Sequence, residues 1–166
     1  SNERIKEESD FLRGNISNLL HDDSITHFPS EEEFLLKFHG ITQQDNRDER
    51  LIRKKNGQGR NWLFMLRLRL PGGRITPSQW LAAETLSDQF GNGTLKLTTR
   101  QAIQIHGVVK QDLKQTMKDI HHAAITTIAA SGDATRNVMV SLHPEDSGIH
   151  ETAVSYTHLR AHETTL

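Results

Sequence analysis

Residues 62–73 read WLFMLRLRLPGG, and the second half of the stretch 62–70 alternates strictly. Successive side chains of an extended segment point to opposite faces, so Leu66, Leu68 and Leu70 share one side and Arg67 and Arg69 the other. Pro71, Gly72 and Gly73 close the strand, because proline brings no N–H to a ladder and the glycines accept a sharp turn. Thr76 then supplies a helix cap, Pro77 the first helical position and Gln79 the reciprocal side chain of a capping box. The helix that follows can bury Trp80, Ala83 and Phe90 on one side and stops at Gly91.

Toward the carboxyl end, residues 94–98 and 102–106 form two more alternating runs. Leu95, Leu97, Ile103 and Ile105 face one way, and Lys96, Thr98, Gln104 and His106 the other. Leu113, Met117, Ile120, Ala124 and Ile128 recur at helical spacing and predict a long helix ending near Gly132, followed by a strand over 137–142. The order strand, helix, strand, strand, helix, strand is that of an α+β fold: a ferredoxin-like antiparallel sheet with two covering helices.

Toward the amino terminus, Ile5, Ser9 and Leu12 mark a short helix closing at Gly14. Phe34, Leu36 and Phe38 alternate as a strand over 34–39, although Ser30 and Glu33 would also suit a capping box. Residues 41–60 carry many charges, Gly57 and Gly59, and little periodic hydrophobicity, which predicts an extended amino-terminal arm.

With 166 residues the chain is long enough for one domain burying roughly 70% of its unfolded surface. It has no cysteine, which excludes disulfides, thiolate zinc sites, thiol nucleophiles and cysteine-held iron–sulfur clusters within these residues. The apolar run 62–66 is far too short for a membrane span and no secretory leader opens the chain, so a cytoplasmic protein is expected. The chain starts at Ser1 rather than methionine, which reads as a lost native start. Net charge is −1, but residues 1–60 hold 10 basic and 12 acidic side chains, residues 61–110 hold 6 and 2, and residues 111–166 hold 4 and 7. The cationic segment is the one with the clearest strands.

If these strands share a sheet with both helices on its apolar back, the open face collects Arg67, Arg69, Lys96, Gln104 and His106, with Arg100 and Arg136 at strand ends. Guanidinium forks bind carboxylates and oxyanions through paired, charge-assisted hydrogen bonds, so this face reads as a receptor for something strongly anionic. A merely solvated sheet face is also polar, but it usually mixes signs. Other chemistry has less support. No phosphate-loop lysine follows either glycine pair, and His121 and His122 are neighbours on a helix that cannot serve one metal together. The face also lacks the aromatic platforms on which single-stranded nucleic acid stacks. No protein-ligated metal, nucleic-acid partner or membrane contact is expected.

The blocks 66–73 (LRLRLPGG), 97–107 (LTTRQAIQIHG) and 132–138 (GDATRNV) resemble, in order, the amino-terminal part of the sirohaem-dependent sulfite and nitrite reductases. The likeness continues through 7–14 (EESDFLRG) and 37–50 (KFHGITQQDNRDER) and covers about residues 3–152. Those two blocks, and His106 before Gly107, are more similar to the sulfite reductase haemoprotein (beta subunit) than to ferredoxin-dependent nitrite enzymes.

The resemblance implies six-electron reduction of sulfite to sulfide in sulfur assimilation, on a sirohaem held between ferredoxin-like halves. It implies that Arg67 and Arg136 hold the substrate oxyanion above the iron, while Arg100, Gln104 and His106 contact the carboxylate-fringed macrocycle. Lys96 stands where relatives can have arginine, and Asn137 either positions Arg136 or is structural. The implied partners are sulfite, a flavoprotein subunit or ferredoxin as electron donor, and a missing carboxyl-terminal half. The family's cysteine motifs, which ligate an iron–sulfur cluster and bridge it to the sirohaem iron, lie downstream and are absent here, as are its active-site lysines. The expectation is an inactive amino-terminal fragment that shares its sirohaem site with that half. Residues 154–164, VSYTHLRAHET, resemble translated adapter DNA; His158 and His162 within them are spaced i, i+4. The expected organisation is a helix and arm over 1–60, a half-domain over 61–153 and a non-native tail over 154–166. A nitrite reductase fragment, and a non-redox module binding anions or RNA, remain the alternatives.

Overall fold

The computed structural model describes residues 1–131, 136–139 and 141. In chain order the elements are α1 (Asn2–Glu8), α2 (Ile16–Leu20), α3 (Ser30–Leu36), β1 (Ile41–Asp45), α4 (Arg47–Lys55), β2 (Trp62–Leu68), α5 (Pro77–Phe90), β3 (Leu95–Leu97), β4 (Ile103–Val108) and α6 (Lys110–His122). Short 3-10 turns cover Lys37–His39 and Pro71–Gly73.

The strands form one antiparallel sheet in the order β1-β2-β4-β3, an α+β, ferredoxin-like half-domain. Phe64, Leu66 and Leu68 of β2 are fully buried on one face, and Arg67 lies half-buried on the other, as the alternation predicts. The apolar face packs on Ala83 and Leu86 of α5 and on Leu113 and Ile120 of α6. The α5 capping box is present: Thr76 Oγ1 accepts from the Gln79 N–H at 3.2 Å, and Gln79 Oε1 from the Thr76 N–H at 3.0 Å. The helix turns Ala83, Leu86 and Ser87 inward, whereas Trp80 is 38% exposed. Leu97, placed on the apolar back by its alternation, is 71% exposed on the edge strand.

The amino-terminal third differs most from the sequence reading. Residues 41–60 are a strand and a helix, not an extended arm. Ile41 pairs with Leu66 and Asp45 with Trp62, and Asn46 caps α4 by accepting from the Asp48 and Glu49 N–H groups. Thus β1 fills the sheet edge expected for a strand over 137–142; of that stretch the described residues 137–139 and 141 carry no strand. An edge strand hides easily in a polar sequence because only alternate residues are buried. Here one of them is Gln43, whose amide bonds the backbone N–H and carbonyl of Phe28 at 2.7 and 3.1 Å.

Residues 34–39 are helical rather than extended, because α3 buries the adjacent Leu35 and Leu36, which no strand can put on one face. Glu31, Glu32 and Glu33 occupy its first turn, where the helix dipole favours acid. The helix α1 ends at Glu8 rather than near Gly14, since Ser9 Oγ donates to the Lys6 carbonyl at 2.7 Å. Likewise α6 stops at His122, and the chain returns so that Thr126 pairs with Arg69 beyond the end of β2 instead of continuing the helix toward Gly132. Residues 132–135, 140 and 142–166, which include the adapter-like tail with His158 and His162, lie outside the described residues.

One irregularity bears on the site. Phe64 pairs with Val108 but Leu66 with Ile105, so β4 carries an extra residue next to His106, and Gly107 takes φ +87 there. Among the described residues no helix is long and apolar enough to cross a membrane, and no group of three His, Cys, Asp or Glu is placed to hold a metal ion.

Candidate functional site

The polar side of the sheet is built from neighbouring strands. Arg67 on β2 and Lys96 on β3 both lie opposite Gln104 on β4, with His106 further along β4. Arg67 can only donate hydrogen bonds, which fixes the Gln104 amide with its oxygen inward. In that orientation Gln104 Oε1 accepts from Arg67 Nη2 at 2.7 Å and Nε at 3.2 Å, and Gln104 Nε2 donates to His106 Nε2 at 3.1 Å.

Arg100 and Arg136 approach from two turns. Arg100 sits in the β3–β4 turn, which closes through a 2.9 Å bond from the Thr98 N–H to the Ala102 carbonyl. Asn137 Nδ2 donates to the carbonyls of Arg100 and Gln101 at 2.8 and 3.1 Å, and the Gly72 N–H donates to the Val138 carbonyl at 3.0 Å. The segment carrying Arg136 is therefore tied to both turns. Burial, and then the positive charges of Arg136 and Arg100, push the Arg67 pKa down. Burial, then Lys96 and Arg67, push His106 down as well. Cationic side chains gathered this closely favour an anion in their midst.

Of the residues singled out from the sequence, Arg67, Arg100, Arg136, Lys96 and His106 share this electrostatic neighbourhood, and Gln104 joins two of them by hydrogen bonds. Asn137 is the clamp beneath them: it is 6% exposed, and its Oδ1 has no hydrogen-bond partner among the described residues. Arg69 does not join the face. It is 4% exposed under residues 125–131, its N–H bonded to the Thr126 carbonyl at 2.7 Å and its Nη1 to the Ile128 carbonyl at 3.4 Å. Burial pushes its pKa down. Alternation gave the correct face, but the returning loop that covers it has no local signal.

Sequence reasoning missed the far end of the site. Past His106 and Lys96 the face opens into a hollow lined by Arg47, Arg50, Arg60 and Trp62. Asp45 holds Arg50 in an ion pair, and the Arg60 guanidinium lies 5.3 Å from the Trp62 ring centre. The only signal was the density of arginine over 47–60, which reads as solvated charge until β1 and α4 are seen to border the sheet.

The lowered His106 pKa has a stability consequence. Between its folded value and the ordinary value of about 6.5, the unfolded chain binds more protons than the folded one. The contribution is therefore fully present above about pH 6.5 and is lost as pH falls toward the folded value. His106→Gln is expected to flatten the acid dependence of the thermal midpoint between about pH 7 and about pH 5; an unaltered slope counts against a half-buried imidazole held neutral.

Residues 55–123 match the model of the nitrite/sulfite reductase ferredoxin-like half domain. The Saccharomyces cerevisiae sulfite reductase [NADPH] subunit beta is 53% identical over 151 residues, 91% of this chain and 10% of that protein. The sulfite reductase [NADPH] hemoprotein beta-component of Bacillus subtilis is 46% identical over 155 residues, 93% of this chain and 27% of that protein. The chain thus spans about a quarter of the length of its bacterial relative and a tenth of the yeast one. The solved structure of the Mycobacterium tuberculosis NirA protein superposes with a TM-score of 0.67 at 21% identity, over 84% of this chain and 27% of that one, a likeness of fold. Residues 55–123 are thus a nitrite/sulfite reductase ferredoxin-like half domain, and over about nine-tenths of its length the chain is similar to sulfite reductase beta components.

Proposed function

We propose that this chain is the amino-terminal part of a sirohaem-dependent sulfite reductase that produces sulfide, and that its cationic sheet face binds the sulfite oxyanion and the cofactor's carboxylates. The observation that carries the reading is the convergence of Arg67, Arg100, Arg136, Lys96 and His106, with the pKa values of Arg67 and His106 pushed down by burial and then by these cationic neighbours. The names of the relatives add a hemoprotein and NADPH, which favours a flavoprotein over ferredoxin as the source of electrons.

The residues present fit such a group. Guanidinium and imidazole donors gathered on one sheet face suit a carboxylate rim. When bound, the cofactor supplies electrons to sulfite at its iron. In this proposal Arg67 and Arg136 place fixed positive charge on the oxyanion and stabilise the electron density it gains. Arg100, Lys96, Gln104 and His106 hold the carboxylate rim. Asn137 keeps Arg136 against the Arg100 turn. The iron–sulfur cluster belongs to the remainder of the parent protein, because this chain contains no cysteine; by itself it is inactive in sulfite reduction.

The complete gene product, assayed with reduced methyl viologen as donor, is expected to bind a tetrapyrrole and to show a higher kcat/KM for sulfite than for nitrite. Preference for nitrite moves the chain to the neighbouring enzyme class. A complete product that binds no tetrapyrrole ends the reading in favour of a non-redox anion-binding module.

A further inference from the structure

We infer that Gln104 is a positioning residue that sets the proton polarity of the site, holding Arg67 in place and making His106 a neutral donor through Nδ1. The geometry stands by itself; its chemical consequence rests on the sulfite reductase reading.

An amide offers acceptor and donor from opposite ends, whereas a guanidinium offers donors alone. Gln104 Oε1 must therefore face Arg67, where it meets Nη2 and Nε at 2.7 and 3.2 Å. Gln104 Nε2 is then turned toward His106 Nε2, 3.1 Å away, and that contact is a hydrogen bond only when His106 Nε2 carries a lone pair. The imidazole proton is thereby placed on Nδ1, which has no hydrogen-bond partner among the described residues and is not sealed from solvent. A protonated His106 would present a donor to the Gln104 N–H, and reversing the amide would turn its donors on Arg67. Protonation of His106 and the Arg67–Gln104 contact are mutually exclusive.

The neighbours act the same way. Lys96 and Arg67, from the flanking strands, oppose a charge on His106. Two carboxylates line the same hollow, Glu33 and Asp45, but Glu33 accepts from Gln43 Nε2 at 3.2 Å and Asp45 is paired with Arg50. For an incoming anion the site thus offers an uncharged N–H at His106 and the outer N–H groups of a guanidinium already locked on its inner edge. His106 is then a hydrogen-bond donor and not the acid that protonates the substrate.

The test is nitrogen-15 NMR of the imidazoles in this 166-residue chain, with Gln104→Ala and Gln104→Glu alongside. The wild-type His106 is expected as the Nδ1–H tautomer. Gln104→Ala is expected to move it toward the Nε2–H tautomer and its protonation midpoint upward. Gln104→Glu should raise the midpoint further, since a carboxylate accepts from the imidazolium. An Nε2–H tautomer in the wild type, or one unchanged by Gln104→Ala, overturns the inference. If Gln104→Ala does not fold, the near-isosteric Gln104→Glu decides: a midpoint that stays put overturns it. A complete protein that prefers nitrite to sulfite would defeat the functional reading and leave this tautomer result standing.

Discussion

Replacing Arg67 by alanine in the complete protein is expected to lower kcat/KM for sulfite by about 10²-fold or more, with most of the loss in kcat. The size follows from preorganisation. The Arg67 N–H is bonded to the Gly40 carbonyl at 2.8 Å, its side chain is half-buried, and Gln104 grips its Nη2 and Nε. A donor held this way needs no reorganisation as charge develops on the substrate, and nothing beside it replaces the lost fork. Arg136 and Arg100 remain in Arg67→Ala, so binding of the anion should suffer less than its turnover. Arg67→Lys keeps a charge but cannot reproduce the paired donation to Gln104, and it should recover only part of the loss. Steady-state kinetics with sulfite decide. A kcat/KM within about threefold of wild type would show that Arg67 does not meet the reacting oxyanion.

What could be read in advance divides along local and nonlocal physics. The alternation of 62–70 and the cap at Thr76 are encoded within a few residues, and both appear as expected in β2 and α5. The facing of Arg67, Lys96, Gln104 and His106 was legible for the same reason: a period of two fixes the side of a strand whatever its partner. Pairing is another matter. Nothing in ITQQD announces that Ile41 will lie opposite Leu66, and the charges of 47–60 mask a capped helix. Arg69 shows the limit most clearly. Its face follows from the pleat, but its burial depends on residues 125–131 returning from the far end of α6, an event distant in sequence. Arg136 was placed at the end of a strand expected over 137–142, which the described residues there do not form, and the role of Asn137 came from the family resemblance alone.

Gly40→Ala is expected to destabilise the chain by on the order of 3 kcal/mol, combining left-handed strain with overpacking. Gly40 has φ +77, and a Cβ there would press on the Thr127 carbonyl oxygen, lie 2.9 Å from the Thr127 Cβ and 3.1 Å from the Arg67 carbonyl oxygen. Two of those neighbours are backbone, so relief requires the chain itself to move. Gly57 separates the two causes. Its φ is +66, but nothing lies within 4 Å of the position its Cβ would take, so Gly57→Ala should cost only about 1 kcal/mol in backbone strain. Urea denaturation of both variants reads the difference, and equal losses would rule out crowding at Gly40. The location of that crowding gives the experiment a functional side. Phe38, two residues before Gly40, accepts from the Ala129 N–H at 2.8 Å, and Gly40 itself accepts from the Arg67 N–H. The start of β1, the loop beside Arg69 and the backbone of Arg67 therefore meet at one residue without a side chain. A methyl group inserted there must push apart the loop and β2, so anion affinity should fall together with stability in Gly40→Ala and stay near wild type in Gly57→Ala.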